Sequence, residues 1–280
     1  MNSRSTLRLA TGQSLPDLRM AASAEIFLHE DCDPWRVEGL SARLREDGML
    51  RNPPIVAPLP QGGYVVLDGA NRTSALVALG AHVIPVQVVD YNDPAVRLDV
   101  WRHFLVDVGD LSRRLLDAGV SLRSTRASEA ARALEERTVA CYLVAGDKAH
   151  EVPLARGRPL AATLAHVVSA YKGSVRIYRV LITDLAVLTR EYGAAGTVVV
   201  FPLLTKGDIV EIAHASVKLP TGITRHIISG RALRVNLPLG VLTSPGSIED
   251  KNRWFADFIH QRLLDQRIRY YPEASFLFDE

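Results

Sequence analysis

Cysteine is scarce here: Cys32 and Cys141 are the two in 280 residues. That excludes a disulfide framework, and their placement suits no Cys/His metal site. A reduced, cytoplasmic setting is expected. Charge of one sign is lacking as well. The net charge of +2 is too small to mark the protein as a nucleic-acid binder by itself. Long hydrophobic runs are missing: the stretch from Thr197 to Leu204 is far too short to span a bilayer, so no membrane partner is expected. The N-terminus shows no charged segment followed by an apolar one, so no secretion signal is expected. There is no internal repeat and no low-complexity linker.

What is present is ordinary globular material. Hydrophobic residues at 48% and charged residues at 23% exclude disordered and collagen-like classes, and 280 residues suffice for one large domain or two modest ones. Basic residues gather late, at Arg225, Arg231, Arg234, Lys251, Arg253, Arg262, Arg267 and Arg269. Most of these read as a solvated helix face.

Residues 1–20 carry little periodicity and read as a partly ordered extension. From Ile26 a short strand precedes Asp33-Pro34, a helix N-cap with proline at the first helical position. Val37, Leu40 and Leu44 recur at helical spacing and Gly48 ends that helix. Strands at 54–57 and 64–67 flank the turn Pro60-Gln61-Gly62-Gly63 as a hairpin. A helix from about Asn71 stops at Gly80, and 83–89 is a further strand. The module reads β-α-β-β-α-β. Beyond it, helices are expected over 99–116, 128–140, 161–171 and 182–192, with a strand at 198–203. Ser247 and Asp250 open a last helix.

The candidate chemistry starts at the strand-to-helix corner Asp68-Gly69-Ala70-Asn71-Arg72. Free amide N–H groups and the positive end of a helix attract an anion there. Gly69 permits close approach of a phosphate, and Arg72 offers forked donors. Asp68 fits an anion site when a Mg²⁺ ion lies between it and the phosphates. The alternative is a plain β-turn with Asp68 capping the helix. Glu30, between a strand and a helix, is placed to accept a hydroxyl proton as a general base, or is a surface acid near a helix start. The segment from Thr221 to Arg231, with Thr224, Arg225, His226 and two glycines, reads as an anion-binding loop or as a hairpin with exposed arginines. Arg51 and Asn52 add a cation and an amide before a strand. Trp101 is either a core residue or a pocket wall.

Taken together, the segments Phe27-Leu28-His29-Glu30, Arg51-Asn52-Pro53-Pro54, Asp68-Gly69-Ala70-Asn71-Arg72-Thr73 and Val86-Gln87-Val88-Val89 resemble the ParB/sulfiredoxin superfamily. Gly222-Ile223-Thr224-Arg225-His226, Gly230-Arg231 and the terminal Phe276-Leu277-Phe278-Asp279-Glu280 narrow the resemblance to its free L-serine kinases. That subgroup includes an archaeal ADP-dependent enzyme and a ParB-like protein encoded with staphyloferrin B siderophore biosynthesis.

The resemblance implies an α+β fold: a ParB/sulfiredoxin-like nucleotide-binding module over 21–105, packed against a C-terminal α/β substrate-binding domain over 106–280. It implies a kinase that transfers a phosphoryl group to the hydroxyl of free L-serine, supplying O-phosphoserine to siderophore or other specialised metabolism. Glu30 matches the catalytic base. Arg51, Asn52, Asp68, Gly69, Ala70, Asn71, Arg72 and Thr73 match the nucleotide and phosphate region, with Asp68 reaching Mg²⁺ through the phosphates. Trp101, Thr224, Arg225, His226 and Arg231 match the amino-acid side. Ala70-Asn71 stand where some members carry two histidines, so the donor is ATP or ADP. A sulfiredoxin would need a cysteine in place of Ala70. A ParB-like, nucleotide-dependent DNA-binding regulator is the alternative, with DNA a secondary partner. The chain is expected as monomer or homodimer.

Overall fold

The computed structural model describes Leu9, residues 12–146 and residues 148–273. The terminal segment 276–280 that contributed to the resemblance lies outside the described residues, as do residues 1–8, 10 and 11 of the expected extension. The fold is α+β and divides into two compact units, each discontinuous in sequence. The first takes residues up to Phe27, 32–96 and everything from Ile228 onward; the second takes 28–31 and 97–227. The contiguous boundary near residue 105 is therefore replaced by one crossed several times. The cause is strand and side-chain pairing late in the chain, which returns it to the first unit.

The first unit opens with β1 (Asp17–Ala22) and β2 (Ile26–Phe27), followed by α1 (Pro34–Asp47) and β3 (Met49–Leu50). Then come β4 (Ile55–Pro58), β5 (Tyr64–Asp68), α2 (Ala70–Ala78) and β6 (Val83–Val88). The expected β-α-β-β-α-β pattern is present, with β1 and β3 in addition. Local chemistry sets the helix ends. The Asp33 carboxylate accepts from the N–H groups of Trp35 and Arg36, and Gly48 closes α1 in the left-handed conformation at φ 63°. The sheet runs β1-β6-β4-β5-β2, with β4 and β5 the antiparallel hairpin and β4 parallel to β6. Val56, Val65, Ile84 and Val86 are fully buried in it; each such side chain contributes about 1.5–3 kcal/mol. Strand β1 takes in residues 17–20 of the stretch 1–20, where periodicity was weak, because its partner β6 supplies the register Asp17↔Val88 to Ala22↔Val83.

The second unit contains β7 (Arg97–Val100), β8 (Arg102–Val106), α3 (Leu111–Asp117), β9 (Arg123–Thr125), α4 (Ala127–Glu135), β10 (Val139–Ala145) and β11 (Lys148–Pro153). It continues with α5 (Leu160–Ser169), β12 (Arg176–Val180), α6 (Leu185–Tyr192), β13 (Gly196–Val200), α7 (Lys206–His214) and β14 (Thr224–Ile227). An antiparallel six-stranded sheet, β12-β8-β13-β10-β11-β9, forms its centre. The helix expected over 99–116 is instead β7, β8 and the short α3. His103 to Val106 are buried on both faces, and such a run lacks the alternation that distinguishes strand from helix. The helix expected over 128–140 ends at Glu135, because Arg137 turns left-handed at φ 55° and β10 begins at Val139. Residues 121–150 thus form strand, helix and hairpin, not the helix-turn-helix of a DNA-binding regulator.

The last elements return to the first unit. Strand β15 (Leu237–Pro238) pairs with β3, α8 (Leu239–Thr243) follows, and α9 (Ile248–Leu264) is capped by Ser247, which accepts from Asp250 N–H as expected. Asn252 of α9 bonds both the N–H and the C=O of Met20 on β1. Among the described residues, no helix is long and apolar enough to cross a membrane.

Two consequences for stability follow from the second unit. At Gly196, which faces Val106 across the β13–β8 pair, a Cβ would run into the Leu105 carbonyl and the Phe104 ring. Gly196→Ala should lower unfolding free energy by about 1–3 kcal/mol in urea titration; an unchanged midpoint would contradict this packing.

His103, 2% exposed, bonds the Tyr171 hydroxyl and the Gly222 carbonyl. Burial pushes its pKa down to about 4. The unfolded chain therefore binds more protons between that value and about 6.5. The neutral ring's contribution is complete above about 6.5 and fades as pH falls toward 4. Replacing His103 by Gln should flatten the fall in unfolding free energy, read from urea titrations between pH 7.5 and 4.5, by roughly 1–3 kcal/mol relative to the wild type. Parallel curves would rule out His103 as the source.

Candidate functional site

In the first unit, β5 ends at Asp68 and α2 starts at Ala70, so Gly69 alone makes the turn, at φ 99°. A Cβ on Gly69 would crowd the Arg72 guanidinium and the backbone of Pro54, which is why glycine stands there. Gly69 is the N-cap of α2 with no side-chain cap, so the capping alternative for Asp68 does not hold. Instead Asp68 Oδ2 accepts from Arg72 Nη2 at 2.5 Å and from the Arg231 guanidinium. Arg72 Nη1 also donates to the Asn52 carbonyl at 2.9 Å. Two guanidiniums against one carboxylate leave the corner with an excess positive charge beside a helix N-terminus, which suits phosphate.

The neighbouring candidates divide. Asn71 Oδ1 accepts from the Asp33 N–H at 3.2 Å and so ties the start of α2 to the start of α1. Ala70 contributes only its backbone. Thr73 is turned inward: it is 4% exposed and its hydroxyl donates to the Gly69 carbonyl. That bond secures the helix's first turn. Arg51 is half-exposed and ion-paired with Asp47 at 3.3 Å. Asn52 Oδ1 accepts from Arg234 N–H at 2.8 Å.

Mg²⁺ fits this corner as an ion held mainly by phosphates. Both guanidiniums use Oδ2 of Asp68, and no hydrogen bond among the described residues is made to its Oδ1. No cluster of three or more His, Cys, Asp or Glu that could cage a metal occurs among the described residues. One protein oxygen with phosphate oxygens and water is a common Mg²⁺ arrangement.

In the second unit, Glu30 follows His29 into a single parallel bridge with Leu219, where Asp31 N–H donates to the Leu219 carbonyl. This sets the Glu30 side chain beside the loop before β14. Its Oε1 accepts from Thr224 N–H and Thr224 Oγ1, both at 2.7 Å, and from Ile223 N–H at 3.2 Å. Among the described residues, its Oε2 accepts from Gly222 N–H alone, at 3.0 Å. A carboxylate oxygen has two acceptor positions, and among the described residues one donor is recorded at Oε2. Thr224 has one hydroxyl hydrogen, given to Glu30, so His29 Nε2 must donate its proton to Thr224 Oγ1 across 2.8 Å. Neutral His103, whose Nε2–H donates to the Gly222 carbonyl, steadies the loop from behind.

Arg225 and His226 lie on β14. Pairing with β7 places Arg225 opposite Asp99, and its guanidinium lies 3.7 Å from that carboxylate and 4.6 Å over the Trp101 ring. Trp101 is half-buried. His226 meets His29 edge to face at 5.5 Å. The sequence pattern grouped Arg225 and Arg231 in one loop, but the structure separates them. Arg225 belongs to the second unit, and Arg231 reaches Asp68 in the first. His29 and Gln87 were quoted in motifs without a role and His103 was not singled out, since a lone buried polar residue in sequence gives no sign of its partner.

No family model matches the chain. It is 24% identical over 265 residues to SbnI, an ATP-dependent L-serine kinase of Staphylococcus aureus, covering 94% of this chain and 97% of that protein. The ADP-dependent L-serine kinase SerK of Thermococcus kodakarensis is 21% identical over 216 residues, 75% of this chain and 87% of its own. Among solved structures, truncated SbnI superposes with a TM-score of 0.72 at 23% identity, over 88% of this chain and 96% of that one. A free serine kinase in complex with AMP superposes with a TM-score of 0.71 at 19% identity, over 86% and 98%. The chain has the fold of the free serine kinases and is similar to them along nearly its whole length.

Proposed function

We propose that this protein is a free L-serine kinase, which transfers a phosphoryl group from ATP or ADP to the serine hydroxyl and yields O-phospho-L-serine. The observation that carries it is the Glu30 carboxylate, fastened by the Gly222-Ile223-Thr224 loop at both of its oxygens, in a chain similar along 94% of its length to an L-serine kinase.

The chemistry follows from these groups. Glu30 Oε2 accepts the proton of the serine hydroxyl as its oxygen bonds to the terminal phosphorus. The bond from that phosphorus to the bridging oxygen breaks, and the nucleotide leaves one phosphate shorter. The transition state of such transfers is loose, so orientation and charge neutralisation do most of the work. Arg72 and the amide groups at the start of α2 hold the phosphates. Arg225 and His226 engage the serine carboxylate or the moving phosphoryl group, with Trp101 as a wall. Mg²⁺, when bound through Asp68 and the phosphates, supplies neutralisation of their charge. Both ATP and ADP remain as donors, since the two kinases above differ in this.

Incubation with Mg²⁺, ATP or ADP, and a panel of amino acids, followed by mass detection, should give O-phosphoserine from serine. Phosphorylation of a different small alcohol in preference to serine would redirect the assignment. Glu30→Gln should lower kcat by about 10²- to 10⁴-fold while nucleotide affinity stays near that of the wild type. Equal turnover would refute the base role.

A further inference from the structure

Arg231 stands in a segment without regular structure, yet its backbone is held on both sides. Gln87, on β6, is 3% exposed. Its Nε2 donates to the Gly230 carbonyl at 3.0 Å and its Oε1 accepts from the Ala232 N–H at 2.8 Å. The two bonds bracket Arg231 as a paired strand would. Asn52 repeats the device at Arg234 N–H, and Asn236 N–H donates to the Arg51 carbonyl. Gly230, Arg234 and Asn236 all take positive φ, a shape that costs free energy in non-glycine residues and needs such anchors. At the end of this clamp the Arg231 guanidinium meets Asp68 Oδ2, beside Arg72.

An arginine placed this way does more than neutralise Asp68, which Arg72 already pairs. A second guanidinium on the same carboxylate oxygen leaves an unbalanced charge with unused donors, the condition for binding a polyanion. Gln87 suits the clamp because a neutral amide both donates and accepts. Glutamate would lose the donor to Gly230, and a hydrocarbon side chain would lose both bonds.

We infer that Arg231 binds the phosphates of the nucleotide together with Arg72, and that Gln87 is the positioning residue that holds it there. This rests on the nucleotide reading above and extends it to two side chains, moving Arg231 from the amino-acid side to the phosphate side.

The test measures ADP and ATP affinity by titration calorimetry for the wild type, Arg231→Ala, Gln87→Met and the double variant, with thermal midpoints alongside. Arg231→Ala should weaken nucleotide binding about tenfold or more, and Gln87→Met by a similar factor. The double variant should be no weaker than Arg231→Ala alone, because Gln87 acts through Arg231. Additive losses, or a lowered midpoint with unchanged affinity, would show that Gln87 only supports the fold and would overturn the inference. So would full affinity in Arg231→Ala. If Gln87→Met fails to fold, Gln87→Glu takes its place with the same expectation. A wild type that binds neither nucleotide would sink the kinase reading, and the inference with it. A wild type that binds, with variants that bind equally, would sink the inference alone.

Discussion

A carboxylate removed partly from water needs donors, and the two acidic groups given chemical roles here have theirs assigned by chain regions far away in sequence. Glu30 takes three backbone N–H groups and a hydroxyl from Gly222, Ile223 and Thr224. Asp68 takes guanidiniums from Arg72 and Arg231. Charge-assisted bonds of this kind are the stronger class, and losing one partner leaves a poorly solvated charge. These contacts hold the order of the late segments: the loop before β14 is pinned to residue 30, and the segment after β14 is pinned to residue 68.

The two carboxylates are used differently. Oε1 of Glu30 is crowded with donors while Oε2 takes one among the described residues, so the group is oriented chiefly by one oxygen. Asp68 is the reverse of a lone acid: paired at Oδ2 by two cations, it lowers the positive charge of its corner without cancelling it. Behind each lies a buried neutral polar side chain. His103 holds the Gly222 carbonyl, and Gln87 holds Gly230 and Ala232. Neutral groups that donate and accept at once are well suited to such backing, since they secure backbone at no cost in buried charge.

Legibility in the sequence followed the range of the interactions. The end signals of α1, the hairpin at Pro60-Gln61-Gly62-Gly63 and the cap of α9 depend on contacts within four residues, and they stand as the residues predict. The Asp68-to-Arg72 corner was visible for the same reason. Strands β8 and β10 were hidden because full burial erases alternation, and β1 because only its partner strand specifies it. Thr73 was grouped with the phosphate ligands by adjacency, and the helix turns its hydroxyl back onto Gly69.

The sequence by itself determined six of the first module's elements, without β1 and β3, and the chemistry available at its glycine corner, since caps, turns and proline positions act locally. It also carried the likeness to the serine kinases, through short motifs. Only the tertiary structure decided which residues those motifs serve. Arg225 and Arg231 are six positions apart, yet one pairs with Asp99 in the second unit and the other with Asp68 in the first. The physical reason is that β14 ends between them and the chain changes partners there, from β7 to the Gln87 amide, a switch made by long-range hydrogen bonds that no local pattern encodes.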